Sequence, residues 1–284
     1  MTLSIKKQLV FSLLFGLFCL NGVAQQDKGN LYNLDNSLLF ANYLFKSQQY
    51  QLAAFEYERV LFVVPQNDSV QIQLLKSYSL SGNKQQMISR AESLYPSSSL
   101  FPQTVAKLYT TDAFKVGQFF KLNDFTSAQS PLPKRDRLFL HLHILMNSLD
   151  WETAELTLQQ LTAVSNESYK NVNGIILAGK EQRYKSPALA ATLSTIIPGT
   201  GKIYTGDWKD ALFGLLILGG NAYSSYRGFK KKGIESVQGW TFASIGFGFY
   251  MANIFGAHKA AKRYNARAQS NLRMQVLQSF EQNY

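Results

Sequence analysis

The chain has 284 residues, with 29 Lys plus Arg against 18 Asp plus Glu and a single cysteine, Cys19. That length is enough for one large or two modest domains with a buried core. One cysteine excludes an internal disulfide, and removal of Cys19 with the signal peptide predicted below would also exclude thiolate catalysis and a cysteine-ligated metal. The positive charge is concentrated near the C-terminus, because residues 180–284 contain 14 Lys plus Arg against 5 Asp plus Glu, whereas residues 25–179 contain 13 of each.

Residues 1–24 are predicted to be a signal peptide. Lys6 and Lys7 precede an apolar run at 9–20, and Gly22-Val23-Ala24 places small residues at a cleavage site. The run is shorter than the roughly 20 residues that cross a bilayer. The alternative is an uncleaved N-terminal anchor. Either reading predicts an exported protein and argues against a nucleic-acid partner.

Residues 34–166 show an apolar pattern with a period of about 34 residues. The first unit places an aromatic residue, an alanine, a second aromatic residue and a closing proline at fixed spacing, as Tyr50, Ala53, Tyr57 and Pro65. The fourth unit repeats the first aromatic residue and the alanine as Trp151 and Ala154. This pattern resembles the tetratricopeptide repeat. The resemblance implies paired helices stacked into a solenoid whose inner face binds a partner protein, with Asn42 and Lys46 near that face. The alternative is an array that only spaces or supports the rest of the chain.

The composition changes after residue 180, since 12 of the 19 glycines lie between Gly199 and Gly256. Apolar stretches occupy residues 187–198, 211–226 and 240–257. The last two are joined by a basic loop and predict a hydrophobic Gly-rich helical hairpin that contacts a lipid membrane. The sequence leaves open the number of spans and the side on which the C-terminus lies.

Small residues recur at helical spacing in this hairpin, which predicts close packing of helices. They are Gly220, Ser224 and Gly228 in the first arm, and Ser244, Gly248, Ala252 and Gly256 in the second. A turn motif precedes them, with Pro198, Gly199, Gly201, Tyr204 and Gly206, and a second motif around Asn253 ends at Gly256. Together the motifs, over residues 186–265, resemble an uncharacterised bacterial membrane-domain family that occurs with helical repeats and with proteins linked to membrane-protein insertion. The resemblance implies a shared fold and does not identify an activity.

No catalytic, cofactor or metal site is predicted. The segment around Lys202 resembles a phosphate-binding loop only superficially, because Ile196 and Ile203 occupy the positions of the required Gly and Ser or Thr. His141 and His143 are two residues apart on a predicted helix and point to different faces. Asp207 and Asp210 are expected to cap the helix that follows.

The sequence therefore predicts an all-α protein with four parts: a signal peptide at 1–24, tetratricopeptide-like repeats at 25–179, a Gly-rich membrane-associated helical domain at 180–265, and a basic amphipathic tail at 266–284. The predicted function is a non-enzymatic, membrane-attached scaffold of the bacterial cell envelope, with periplasmic repeats that bind a partner protein. The alternative is an accessory factor for membrane-protein insertion or transport that acts through the Gly-rich hairpin.

Overall fold

The computed structural model describes residues 33–165 and 168–284, and all of the regular secondary structure in these residues is helical. The predicted all-α class is confirmed. The predicted signal peptide lies outside the described residues. Packing divides the chain into two compact units between Leu132 and Pro133. The domain limits predicted above follow changes in composition, and they stay a prediction.

The described part of the first unit consists of successive helices, each packed against the next along the chain. They are α1 (Leu34–Lys46), α2 (Tyr50–Val63), α3 (Asp68–Leu80), α4 (Lys84–Leu94), α5 (Gln103–Lys115) and α6 (Phe119–Leu122), with 3₁₀ turns at Ser98–Leu100 and Asn123–Thr126. The Asn33 side chain caps α1 by accepting a hydrogen bond from the Asn36 backbone N–H. Asn67 caps α3 in the same way through the Val70 N–H.

Glu58 joins three helices of this unit. The Arg90 guanidinium on α4 donates two hydrogen bonds to the Glu58 carboxylate on α2, at 2.9 and 2.8 Å. The Tyr78 hydroxyl on α3 donates a third at 3.2 Å. Burial and the neighbouring carboxylate raise the pKa of Tyr78 to about 12. The paired charges and the phenol therefore fix the relative positions of α2, α3 and α4.

One backbone feature recurs in the turns between helices. Gln48, Gly82, Gly117 and Leu149 all have positive φ, between 61° and 83°, and each lies two residues before the start of the next helix. Glycine adopts this left-handed conformation without steric cost, whereas Gln48 and Leu149 are strained by it. The same turn is therefore formed at four places by different residues.

The second unit is organised around one long helix. Its elements are α7 (Lys134–Ser148), α8 (Trp151–Val164), α9 (Lys170–Glu181), α10 (Pro187–Ile196), α11 (Thr200–Tyr204), α12 (Trp208–Lys232), a 3₁₀ turn at Gly233–Glu235, and α13 (Val237–Asn283). The 47-residue helix α13 packs against α7, α9, α10, α11 and α12.

The C-terminal part of α13 includes the predicted basic amphipathic tail. Its apolar stripe, Leu272, Val276 and Phe280, is buried within the unit. The Phe280 ring lies 5.9 Å from Phe139 and 5.4 Å from His143, both on α7. This stripe therefore packs against another helix of the same chain.

The structure corrects the predicted localisation. In residues 33–165 and 168–284, no helix combines the length and the mean hydropathy required to cross a bilayer. The apolar stretch of α12 lies between Asp210 and Arg227 and is interrupted by Asn221, while the stretch of α13 includes Asn253. This finding contradicts the predicted localisation as a membrane-associated protein of the cell envelope, because the attachment depended on these two stretches. The predicted export depended on residues 1–24, which lie outside the described residues.

The fully buried His143 makes the second unit sensitive to acid. Its Nδ1 donates a hydrogen bond to the Phe139 carbonyl at 2.9 Å, and burial lowers its pKa from 6.5 to about 4. Between these two pH values the unfolded chain binds the proton and the folded chain does not. We therefore expect the free energy of unfolding to fall by about 3 kcal/mol as the pH decreases from 6.5 to 4.

Urea unfolding followed by tryptophan fluorescence measures this effect, because Trp151, Trp208 and Trp240 all lie in the second unit. His143→Gln should remove most of the pH dependence in this window, whereas His258→Gln should retain it. An unchanged pH profile in His143→Gln would show that other groups cause the acid sensitivity.

Candidate functional site

The first candidate surface is one face of α1, formed by Leu39, Phe40 and Tyr43. These side chains are 66%, 49% and 62% exposed. The Phe40 and Tyr43 rings are stacked, with centroids 6.5 Å apart. We call these three residues the open face of α1.

Equivalent positions in α3 and α5 are buried. Counted from the first residue of each helix, Phe40 corresponds to Leu74 and Tyr109, which are 0% and 2% exposed. In α5, the Tyr109 hydroxyl donates a 2.6 Å hydrogen bond to Glu92 on the preceding helix α4. The position of Phe40 is therefore one at which a helix of this unit contacts the helix before it.

The predicted repeat-signature residues lie in two different units. In the first, Ala53 and Tyr57 are fully buried, and the Tyr57 hydroxyl donates a 2.8 Å hydrogen bond to Asn42. Tyr50 packs edge-on against Phe45, and Pro65 is exposed. Asn42, expected near a binding face, is thus engaged within the unit.

In the second unit, Trp151 and Ala154 are both buried on α8. Trp151 packs so closely against Gly179 of α9 that a Cβ at Gly179 would overlap its ring. Trp151 of the fourth predicted repeat unit thus contacts α9, the helix that follows it in the chain.

The predicted turn motif connects α10, α11 and α12. Gly199 and Gly206 have φ of +92° and +87°, so both adopt the left-handed conformation that glycine favours. Gly201 lies against α10, and its backbone N–H donates a 3.1 Å hydrogen bond to the Ser194 hydroxyl. A Cβ at Gly201 would overlap the carbonyl oxygen of Ala190. Pro198, next to Gly199, is partly exposed.

Tyr204 joins this turn to α13. Its ring packs on a buried cluster of Ala190, Ala257 and Ala261, and its hydroxyl accepts a hydrogen bond from the Ser186 N–H at 3.2 Å. The Lys185 ammonium lies 4.6 Å from the centre of the ring. The predicted motif residues therefore hold α10 and α11 against α13.

Two further contacts were not predicted from the sequence. Asn265 on α13 pairs with the Lys185 backbone in both directions, accepting from its N–H and donating to its carbonyl, each at 2.8 Å. Asp207, expected to cap α12, forms no side-chain cap and instead lies 3.5 Å from the Arg263 guanidinium.

Helices α12 and α13 run antiparallel along a seam of small and amide residues spaced by seven positions. Gly228 faces Gly239, Asn221 faces Gly246 and Gly214 faces Asn253. A Cβ at Gly228 would lie 2.6 Å from the Gly239 nitrogen, so the two backbones are in contact there. A seven-residue spacing is typical of the seam between two coiled helices.

Two polar side chains at this seam donate hydrogen bonds, whereas the side-chain oxygen of a third has no hydrogen-bond partner among the described residues. The Ser225 hydroxyl donates to the Gly239 carbonyl at 2.8 Å, and the Asn221 amide donates to the Ile217 carbonyl at 2.8 Å. Asn253 is 5% exposed, and within the described residues its Oδ1 has no hydrogen-bond partner. An unsatisfied buried amide oxygen costs about 1–3 kcal/mol.

The predicted small-residue stripes lie only partly at this seam. Of the stripe residues, Gly228 is buried in the seam, and Gly256 lies beside the Lys202 side chain of α11; Asn253 of the second predicted motif is also buried in the seam. A Cβ at Gly220 or at Gly248 would meet no atom within 4 Å. Ser244 and Ala252 are exposed and Ser224 is partly exposed.

The different surroundings of Gly201 and Gly220 give opposite expectations for alanine. Gly201→Ala should lower the free energy of unfolding of the second unit by about 3 kcal/mol, because its Cβ overlaps a backbone carbonyl that cannot move freely. Gly220→Ala should raise it by about 0.5–1 kcal/mol, because alanine favours the helix and the site is open. Urea unfolding with tryptophan fluorescence compares the two, and equal effects would contradict the described packing.

Comparison of the chain with protein-family models, with curated proteins and with solved structures yields no match. The two resemblances inferred from the sequence, to the tetratricopeptide repeat and to a bacterial membrane-domain family, therefore stay predictions.

Proposed function

We propose that this protein is a non-enzymatic helical scaffold whose repeat-like helices bind an amphipathic helix of a partner protein on the open face of α1. The observation that supports this proposal is the exposure of Phe40 and Tyr43 at positions whose equivalents are buried in α3 and α5. In those two helices a preceding helix packs alongside. In α1, a helix of the partner would occupy the corresponding place.

Physical chemistry favours a helix with an apolar stripe as the occupant. Burying a large apolar side chain that is otherwise exposed contributes about 1.5–3 kcal/mol. Aromatic residues dominate the binding energy of many protein interfaces because they bury a large area and lose little conformational freedom. Leu39, Phe40 and Tyr43 follow one helical stripe, and a partner with aliphatic residues at i, i+3 and i+4 would cover it.

The tetratricopeptide-like interpretation supports the same proposal. The period of about 34 residues in the sequence agrees with the spacing of the positive-φ residues Gln48, Gly82 and Gly117. Helices arranged by such a repeat stack through nearest-neighbour contacts, and α1, the first helix of the described residues, has α2 as its neighbour there. The alternative function, an accessory factor for membrane-protein insertion or transport, stays a prediction that no contact described above supports.

A photo-crosslinking amino acid at position 43 tests the proposal in cells that express the protein. We expect a discrete adduct with a partner protein, and no such adduct from the same amino acid at Phe120, which is 90% exposed in the same unit. A synthetic helix from the crosslinked region of the partner is then titrated against the purified chain. Phe40→Gln with Tyr43→Gln should weaken binding at least tenfold.

Phe120→Gln serves as the matched control and should bind the synthetic helix as the wild type does. Both variants should keep a melting temperature close to that of the wild type, because Tyr43 and Phe120 are largely exposed and Phe40 is half-exposed. Equal crosslinking from positions 43 and 120, or an unchanged affinity in the double variant, would contradict the proposal.

A further inference from the structure

A second surface lies in the other unit, along the seam of α12 and α13. A groove of about 490 Å³ runs between the two helices there. Its walls are mainly apolar and aromatic and include Leu218, Ala222, Tyr226 and Phe229 from α12 and Ala243 and Phe247 from α13. Its volume is within the range of small-molecule sites, about 300–1,000 Å³.

The close approach of the helix backbones forms the floor of this groove. Gly246 has no side chain to fill the space, and a Cβ there would lie 3.4 Å from the Asn221 Cβ. The Ser225 hydroxyl, which also lines the groove, donates a 2.8 Å hydrogen bond to the Gly239 carbonyl. The proton of this hydroxyl is therefore already used within the protein, and the floor offers a ligand mainly apolar contacts.

One end of the groove lies next to a run of lysines. Phe229, in its wall, is followed directly by Lys230, Lys231 and Lys232 at the end of α12. The Lys230 ammonium lies 5.9 Å from the centre of the Tyr226 ring, which also lines the groove. An apolar groove with the Lys230 ammonium at its edge, and two further lysines next along the chain, is complementary to an anionic amphiphile.

We propose that the groove binds one molecule of a free long-chain fatty acid, with its hydrocarbon chain along the seam and its carboxylate beside Lys230. From Leu218 to Phe229 the wall is about 16 Å long at the helical rise of ~1.5 Å per residue, a length suited to an extended hydrocarbon chain. A small anion would leave the apolar walls exposed, and a neutral hydrocarbon would leave the cations without a counter-charge. This site is separate from the open face of α1, so either proposal can fail without the other.

Calorimetric titration of the purified full chain with hexadecanoate, below the concentration at which it forms micelles, tests this assignment. We expect saturable binding of one molecule per chain. Ala222→Phe and Ala243→Phe place a ring in the groove and should each weaken binding at least tenfold. Ala222 is exposed, so its replacement should not disturb folding. Ala252→Phe, at an exposed position of α13 outside the groove lining, should bind as the wild type does.

A neutral ligand of the same chain length distinguishes the contribution of the apolar groove from that of Lys230. Lys230→Gln should weaken hexadecanoate binding at least threefold and leave 1-hexadecanol binding unchanged. Wild-type affinity in both Ala222→Phe and Ala243→Phe would overturn the assignment. It would also be overturned if light scattering showed a dimer that Ala222→Phe and Ala243→Phe both dissociate, or if only lipid vesicles and no monomeric fatty acid were bound.

Discussion

The second unit depends on the contact between the backbones of α12 and α13 at Gly228 and Gly239. A Cβ on either residue would overlap the other helix, at 2.6 Å from the Gly239 nitrogen or 2.7 Å from the Phe229 ring. Once this contact fixes the register of the two helices, the residues at successive steps of seven positions along each helix also face each other. These pairs are Asn221 with Gly246 and Gly214 with Asn253. Each layer places a glycine against a glycine or an amide. The antiparallel register of the two helices follows from these pairs.

This register also positions the other elements of the unit. Further along α13, Ala257 and Ala261 pack against Ala190 of α10 and against Tyr204. Because Gly201 has no side chain, α11 can contact the Ala190 carbonyl. Near the end of α13, Phe280 packs against α7. Close backbone contact leaves no room for large side chains inside the seam, so the large apolar residues of α12 and α13 lie outside it. The groove between the helices and the exposed aromatic residues along it are two consequences of the same constraint.

The all-helical class and several packing residues could be predicted from the sequence, because helical periodicity and small residues are local signals. Ala53, Tyr57, Trp151 and Ala154 are buried, and Gly199 and Gly206 have the positive φ that turns require. The seam could not be predicted from the sequence. The small residues of each helix recur both every four and every seven positions, and only tertiary packing decides which set faces the other helix. The apolar stretches predicted membrane attachment from their composition, but polar residues within them lower their mean hydropathy too far for a spanning helix. Among the described residues no helix precedes α1, and the exposure of Phe40 and Tyr43 there depends on tertiary packing, which no local pattern encodes.

Disulfide formation between α12 and α13 tests the register most directly. In a Cys19→Ser background, which removes the single native cysteine, Asn221→Cys with Gly246→Cys should oxidise readily, because the two Cβ positions are 3.4 Å apart, close to the separation in a disulfide. Ser224→Cys with Gly248→Cys joins the two small-residue stripes instead and should stay reduced, since a Cβ at Gly248 has no neighbour within 4 Å. Mass spectrometry of the alkylated protein distinguishes the two pairs. Oxidation of the second pair with the first remaining reduced would contradict this account.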